Sequence, residues 1–300
     1  MTTPAATPTA ENGSADPAAR HDAPLVTPLV IAAGVLLIVA WAPYLRWMWG
    51  IWMKSDYYSH GPLIPVLSGY IIYTRRKDFA GAGGGRYHLL GAVVVLGCLA
   101  VQGLATYLDV NFPQGFTMIG TIAGLALLLW GWERAKVLAF PLALLCFMVP
   151  VDRLLVEKFS NPLQLWSAKV AAFTPYVLGV PVHLYGTTIE IPEYTFEVAQ
   201  ACSGLKSSIA MSALAALFAY MIVAPMWKRV LVFAAGLPVA LVANAARISF
   251  TLMLGKAFGT EAAEGFFHSV SGIMVFLIGL FGLFLIAKAL GCDKLRDDIL

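Results

Sequence analysis

Eight runs of apolar residues, separated by short polar segments, make up most of this chain. They cover about 25–45, 61–74, 88–108, 115–132, 136–150, 203–224, 230–253 and 269–290. A helix that crosses the hydrocarbon core of a bilayer needs roughly 20 mainly apolar residues. The second and fifth runs are short, so either could be tilted, re-entrant or surrounded by protein. The pattern predicts an all-α integral membrane protein with about eight transmembrane helices.

The segments on either side of these runs are polar. Residues 1–24 are rich in Ala, Thr and Pro and carry no apolar periodicity, which predicts a disordered cytoplasmic tail. They do not resemble a signal peptide, because no basic region adjoins a short apolar core with a cleavage site. We therefore expect a transmembrane domain over 25–290 and a cytoplasmic C-terminal tail over 291–300.

The longest polar connection, about 151–201, predicts structure of its own at the membrane surface. Residues 161–180 suggest an interfacial helix, with Trp166 and Tyr176 suited to the headgroup region. The pieces 183–191 and 192–198 are rich in β-branched and aromatic residues, and Pro192-Glu193 is a turn signal between them. The expected product is a small extracytoplasmic hairpin.

Composition agrees with this pattern. Hydrophobic residues make up 59% of the chain and charged residues only 12%, against about 25% charged in soluble domains, and the mean hydropathy is +0.77. A net charge of +3 gives no reason to expect a nucleic-acid partner. The four cysteines are scattered, without a CxxC or a zinc-type spacing to histidine. We therefore expect no metal, no organic cofactor and no disulfide framework.

The positions of Lys and Arg predict the orientation, since short cytoplasmic loops collect them. With the N-terminus inside, the inner segments hold 12 of the 20 basic residues and the outer segments hold 8. The inner ones crowd into short loops such as Arg75-Arg76-Lys77 and Lys228-Arg229. This places both termini in the cytoplasm of a multi-pass inner-membrane protein and puts the 151–201 connection outside.

Three residues that are costly or reactive in a membrane fall near the same predicted outer boundary. Arg247 is 18 residues beyond Arg229, or roughly 27 Å at about 1.5 Å per residue. His268 precedes Lys288 by 20 residues, or roughly 30 Å, and Cys202 opens the apolar run that returns inward. Nothing in the counting forces this agreement, so we predict one active site at the outer face.

Each of the three has a chemical use and a plainer alternative. Cys202 begins a helix and has Lys206 four residues on, and both lower a thiol pKa towards the reactive thiolate; the alternative is a buried structural cysteine. An arginine in an apolar span costs about 2.5–3.5 kcal/mol and usually lines a polar cavity. Arg247 shares a helix face with Asn244, or else it extends to the outer headgroups.

The histidines are weighed in the same way. His268 opens the last span and can act as general acid and base or as the imidazolium partner of a thiolate; the alternative is an interfacial histidine bonded to a carbonyl. His60 lies on the predicted outer side before the second span and could help line the cavity, although a satisfied histidine in a turn is as good an interpretation.

Three motifs together resemble the exosortase/archaeosortase family. They are Ala201-Cys202-Ser203-Gly204-Leu205, Asn244-Ala245-Ala246-Arg247-Ile248 and His268-Ser269-Val270-Ser271-Gly272, supported by Tyr58-Ser59-His60-Gly61. The resemblance covers roughly 30–290. Each motif alone is weak, but their order, spacing and shared depth make the combination specific.

The resemblance implies a membrane-embedded cysteine transpeptidase or peptidase with Cys202 as nucleophile, assisted by Arg247 and His268. Its substrates would be exported proteins that carry a C-terminal Pro-Glu-Pro-type motif, a spanning helix and a basic end. Asn244, Lys206 and His60 are the supporting or substrate-binding candidates, and membrane lipid is the other expected partner.

Two alternatives remain open at this stage. A non-catalytic component of polysaccharide export or small-solute transport would favour polar residues near the midplane and repeated halves, and neither is found. An acyl- or glycosyl-transferring enzyme could use His268 and Arg247 with Cys202 as a bystander.

Overall fold

A computed structural model describes residues 23–83, 87–151, 153–192, 194–198, 204–259, 266–292 and 294–296, with the side chains of 23–27, 56, 153–155, 194 and 266–271 also outside the description. Nearly all of the tail expected at 1–24 therefore lies outside the described residues. The chain divides into two compact units, residues 1–42 and 43–300. The first unit contains the start of helix α1, and everything below concerns the second.

Helices account for most of the described chain. They are α1 (Ala23–Lys54), α2 (Leu63–Thr74), α3 (Arg76–Gly81), α4 (His88–Tyr107), α5 (Phe112–Leu144), α6 (Arg153–Val177), α7 (Leu205–Met221), α8 (Met226–Phe258) and α9 (Phe266–Ala289), with 3₁₀ turns at Asp56–Tyr58 and Leu145–Met148. Within the described residues, α1, α4, α5, α8 and α9 are long and apolar enough to cross a membrane, and α2 and α7 are shorter apolar helices. The fold is that of an all-α integral membrane protein, as the sequence predicts.

Helix α5 combines two of the predicted runs, 115–132 and 136–150. Its backbone leaves the helical conformation at Gly131 (φ 77°, ψ −179°), a combination that essentially only glycine adopts. A Cβ added to Gly115 would meet Val149 at 2.5 Å, so the chain doubles back between these residues. The two runs are therefore separate antiparallel segments joined at Gly131. The total of eight spans remains a prediction.

A three-stranded antiparallel sheet follows α6, with strands β1 (His183–Tyr185), β2 (Thr188–Ile191) and β3 (Tyr194–Glu197). The β2–β3 hairpin pairs Ile191 with Tyr194 around the predicted Pro192-Glu193 turn. The sheet has one strand more than the predicted hairpin, because the chain also turns at Gly186, whose φ of 61° favours glycine. The expected hairpin is thus a three-stranded meander.

Helix α6 has a fully buried face. Ser160, Ser167, Ala168 and Ala171 are all 0% exposed, at spacings that place them on one side of a helix. The alanines pack in one apolar cluster with residues of the sheet and with Ile248 and Leu252 of α8. Trp166 and Tyr176 are exposed, as an interfacial position would require. One face of α6 thus packs inside the second unit, and the opposite face remains a candidate for the membrane surface.

Two opposite ends of the helix bundle in this unit carry distinct groups of residues. One, which we call the sheet end, carries β1–β3 and the first residues of α7. The other, the arginine end, centres on Tyr220, whose hydroxyl accepts a hydrogen bond from Arg75 at 2.8 Å. The guanidinium groups of Arg296 and Arg229 lie 4.8 and 5.7 Å from its ring centre. Residues 294–296 pair there with Met221–Val223, so this part of the predicted C-terminal tail is attached to the helices.

Candidate active site

The first turn of α7 rests directly against α8. Gly204 caps α7 with a left-handed backbone (φ 89°), and its carbonyl oxygen accepts hydrogen bonds from Ser208 N at 2.8 Å and Ser207 Oγ at 2.9 Å. A methyl group added to Gly204 would lie 3.0 Å from Nδ2 of Asn244. Glycine is therefore required at this position both by the backbone conformation and by the close approach of α8. Two of the motifs singled out in the sequence meet at this contact.

The side chain of Asn244 is buried inside the protein. It is 1% exposed, and its Nδ2 donates a long hydrogen bond of 3.5 Å to Oγ of the fully buried Ser167 on α6. The amide therefore joins α6, α8 and the start of α7 at one point. This burial argues against Asn244 as a direct donor to substrate and favours a positioning role.

A further pair of hydroxyl groups continues the contact between α6 and α8. Thr174 Oγ1 donates to Ser249 Oγ at 3.0 Å, and Ser249 Oγ lies 3.0 Å from the carbonyl oxygen of Ala245. Near the sheet, Gln164 donates to the carbonyl oxygen of Val198, a fully buried residue. Sequence reasoning missed Ser167, Gln164 and Thr174, since partners this distant along the chain leave no local signal.

Arg247 lies one helical turn beyond Asn244 and is half-buried. It lines a crevice of about 230 Å³ between α8 and α9, together with Ala246, Phe250, Met274 and Ile278. The other residues of this wall are apolar. Arg247 thus lines a crevice, but its neighbours there are apolar and do not form the polar cavity that the sequence led us to expect.

The packing of α8 on α7 and α9 shows how far along the helix axes the candidate residues lie. Gly204 meets Asn244 and Gly236 meets Ala215, so α7 and α8 run antiparallel with Arg247 about level with Gly204. Gly282 packs on Val239, and continuing this register puts the backbone of His268 about level with Met253. That is six residues beyond Arg247, or roughly 9 Å. Arg247 thus lies about level with the described start of α7, and the backbone of His268 lies further towards the sheet end.

His60 lies in the connection between α1 and α2, near the start of α7. It is half-buried, and its Nε2 is buried without a hydrogen-bond partner among the described residues. Burial lowers the pKa of His60; an interaction with the backbone of Phe147 opposes this, and the charge of Lys206 lowers it further. Lys206 in the first turn of α7 is therefore close enough for its charge to act on the imidazole. The rings of His60 and Tyr58 lie 6.3 Å apart.

Two predicted catalytic groups lie outside the description. Cys202 falls among residues 199–203, and of His268 only the backbone, within α9, is described. The described residues contain no group of three or more His, Cys, Asp or Glu side chains that could hold a metal ion. The structure brings Gly204 against Asn244, with Arg247 one turn further along α8, and brings Lys206 close enough to His60 for its charge to act there.

Comparison with known proteins adds an independent finding. No curated protein matches the chain, and no solved structure matches it. The model of one protein family, described as transmembrane exosortase (Exosortase_EpsH), matches residues 52–285, which is more than three quarters of the 300 residues. The match contains all of the site motifs discussed above. This chain belongs to the transmembrane exosortase family.

Proposed function

We propose that the protein is a membrane cysteine transpeptidase or peptidase that cleaves the C-terminal sorting signals of exported proteins through a Cys202 thioester. Family membership supports a sorting-related transpeptidase at the coarse level. The contact between Gly204 and Asn244 is the observation that carries the finer assignment. Cys202 is two residues before Gly204 in the chain, and two residues span at most about 7 Å. We therefore place the Cys202 thiol within reach of the Asn244–Arg247 turn.

The segment around Cys202 is held on both sides. Val198 is bonded to Gln164 and, through its N–H, to Thr187 O at 3.0 Å, and Gly204 is held against Asn244. Only residues 199–203 connect these two anchors. A nucleophile held between fixed points loses little freedom on reaching an attack geometry, and such positioning supplies much of an enzyme's rate advantage.

The proposed reaction assigns one step to each group. The Cys202 thiolate, favoured by the start of α7 and by Lys206, attacks the scissile carbonyl carbon and forms a C–S bond. Arg247 stabilises the resulting oxyanion. His268 protonates the leaving amine as the C–N bond breaks, and the membrane anchor of the substrate departs. The remaining thioester is then resolved by an amine, a hydroxyl group or water.

The crevice between α8 and α9 fits a route for the substrate. Its apolar residues Phe250, Met274 and Ile278 suit the spanning helix of a sorting signal, and Arg247 lies in the same wall. A helix packed there would bring its outer end to the level of the start of α7. This arrangement requires the sheet end to face outside, as the distribution of Lys and Arg predicts.

The test is to co-express the full chain with a candidate substrate and to look for a hydroxylamine-labile adduct. We expect the adduct with the wild type and with Cys146→Ala, which removes an exposed thiol, and none with Cys202→Ala. Arg247→Ala should lower adduct formation by about 10²–10³-fold, whereas Arg76→Ala should not. Cleavage that persists in Cys202→Ala would refute the proposal.

A further inference from the structure

The three-stranded sheet has one face that neither the sequence motifs nor the proposed reaction uses. Its other face is held in the apolar cluster with α6 and α8 through Ile189, Ile191 and Phe196. Side chains alternate between the two faces along each strand, so the register assigns six residues to the unused face, which we call the free face. They are His183, Tyr185, Thr188, Glu190, Thr195 and Glu197. None of the six is buried.

Two aromatic rings stand at the edge of the free face. His183 and Tyr185 are two residues apart on β1, so their side chains lie on the same side of the strand. Their ring centres are 6.4 Å apart and their planes differ by 23°. Both side chains are exposed, and Tyr185 is 66% exposed. Exposed rings of this kind attract cations and planar groups to their faces.

A carboxylate lies beside these rings. Glu190 on β2 pairs directly with His183, and the Cβ atoms of such a pair are about 5 Å apart. Glu190 is exposed, and in the described part of the chain its side chain takes part in no ion pair. Residues 183–198 contain three glutamates and no lysine or arginine, although the chain as a whole has a net charge of +3. The free face is therefore complementary in charge to a basic partner.

An aromatic ring beside a carboxylate suits the guanidinium group of arginine better than other cations. A guanidinium stacks flat on a ring and donates two parallel hydrogen bonds to a carboxylate. A lysine ammonium is instead a compact and strongly hydrated charge. A metal ion fits poorly, because the described residues contain no group of three or more possible ligands among His, Cys, Asp and Glu.

The edge of the sheet favours an arginine on a protein segment over a free guanidinium compound. Strand β1 is an outer strand, and no strand of the described chain pairs with its other edge. An extended segment added there would lie about 4.8 Å from β1. Every second side chain of that segment would fall on the free face. An arginine among them crosses the ring of Tyr185 and meets Glu190 on the next strand.

We propose that the free face, together with the edge of β1, binds an extended arginine-bearing segment of another protein. The proposal stands on the sheet alone and does not rest on the proposed function. With the sheet end outside, as the distribution of Lys and Arg predicts, the partner is an extracytoplasmic protein. The basic end of a sorting signal would lie at the arginine end, so it is a different segment from the one that binds here.

The test uses the full-length protein in detergent and the peptide acetyl-Gly-Thr-Arg-Thr-Gly-amide, with binding followed by ligand-observed NMR. We expect saturable binding of this peptide. Replacing its arginine by citrulline, which has the same shape without the charge, should raise the Kd at least about tenfold. Replacing it by lysine should raise the Kd at least about threefold. Equal affinity for either replacement would overturn the assignment to arginine.

Two variants of the protein locate the site. Glu190→Gln and Tyr185→Ala should each raise the Kd at least about fivefold. The matched controls are Glu133→Gln, because Glu133 pairs with Lys136 at 2.8 Å outside the sheet, and Tyr107→Ala, because Tyr107 is 85% exposed at the end of α4. All four substitutions change exposed side chains, and an unchanged unfolding midpoint shows that the sheet is intact. An unchanged Kd in Glu190→Gln protein that is folded would overturn the proposal.

Two further measurements identify the occupant. N-acetylarginine amide carries the same guanidinium without a segment to pair with β1, and it should bind at least about tenfold more weakly than the peptide. Equal affinity would assign the face to a free guanidinium compound and overturn the proposed segment. Light scattering should give the same oligomeric state for wild type and Glu190→Gln. A change in that state would assign the face to a second copy of this chain and likewise overturn the proposal.

Discussion

Substituting Gly204 by alanine should destabilise the start of α7 for two reasons, backbone strain and steric overlap. With φ at 89°, a residue with a Cβ costs roughly 1–2 kcal/mol in the left-handed region. The new methyl group would also lie 3.0 Å from Nδ2 of Asn244, which is 1% exposed and bonded to Ser167. Overpacking of such a site typically costs about 1–3 kcal/mol more.

Gly179→Ala is the matched control, because Gly179 also has a positive φ (74°) but has nothing within 4 Å of its added Cβ. We expect Gly204→Ala to lower the free energy of unfolding by at least about 1 kcal/mol more than Gly179→Ala does. The assay is reversible unfolding in mixed detergent micelles. Combining Gly204→Ala with Asn244→Ala should recover part of that difference, measured as a double-mutant coupling.

The same variant should affect chemistry more than stability. Gly204 lies two residues after Cys202, and a misplacement of about 1 Å can cost about 10²-fold in rate. Formation of the hydroxylamine-labile adduct should therefore fall by about that factor in Gly204→Ala protein that is still folded. If Gly204→Ala proves as stable and as active as Gly179→Ala, the contact with Asn244 does not position the nucleophile.

Two further predictions concern other parts of the chain. Burial lowers the pKa of His60 in the folded protein, so the unfolded state binds more protons below about pH 6.5. The free energy of unfolding should therefore fall as the pH drops through that value. His60→Gln should remove this dependence, and an unchanged pH profile in that variant would contradict the prediction. Gly131→Ala should lower the free energy of unfolding by about 1–3 kcal/mol, whereas Gly97→Ala, in open space within α4, should not; equal unfolding curves for the two would show that the break in α5 needs no glycine.

The sheet shows where local sequence signals were sufficient and where they were not. A turn at Pro192-Glu193 was predicted from its residue types, and strands β2 and β3 pair antiparallel on either side of it. The turn at Gly186 was missed, because a single glycine between Tyr185 and Thr187 is a weak signal until its positive φ is known. Both turns are local, but only the first contains two residues that disfavour an extended strand.

The candidate site divides in a similar way. Arg247 was selected because an arginine in an apolar run is costly wherever the chain folds, and the structure has it in a crevice wall. The role of Asn244 was only half predicted. Its place beside Arg247 followed from helix periodicity, but its burial against Ser167, 77 residues away, depends on how α6 packs against α8.

The sequence alone determined the membrane class, the approximate helices and the polar residues at their ends, because the thickness of a bilayer imposes a length and a composition on each run separately. Tertiary structure decided which of these residues meet. The reversal at Gly131, the contact of Gly204 with Asn244 and the packing of the sheet against α8 all join segments that are distant in the chain. Such contacts depend on packing between helices, where small residues and shape decide the partner, and no single run of sequence contains that information.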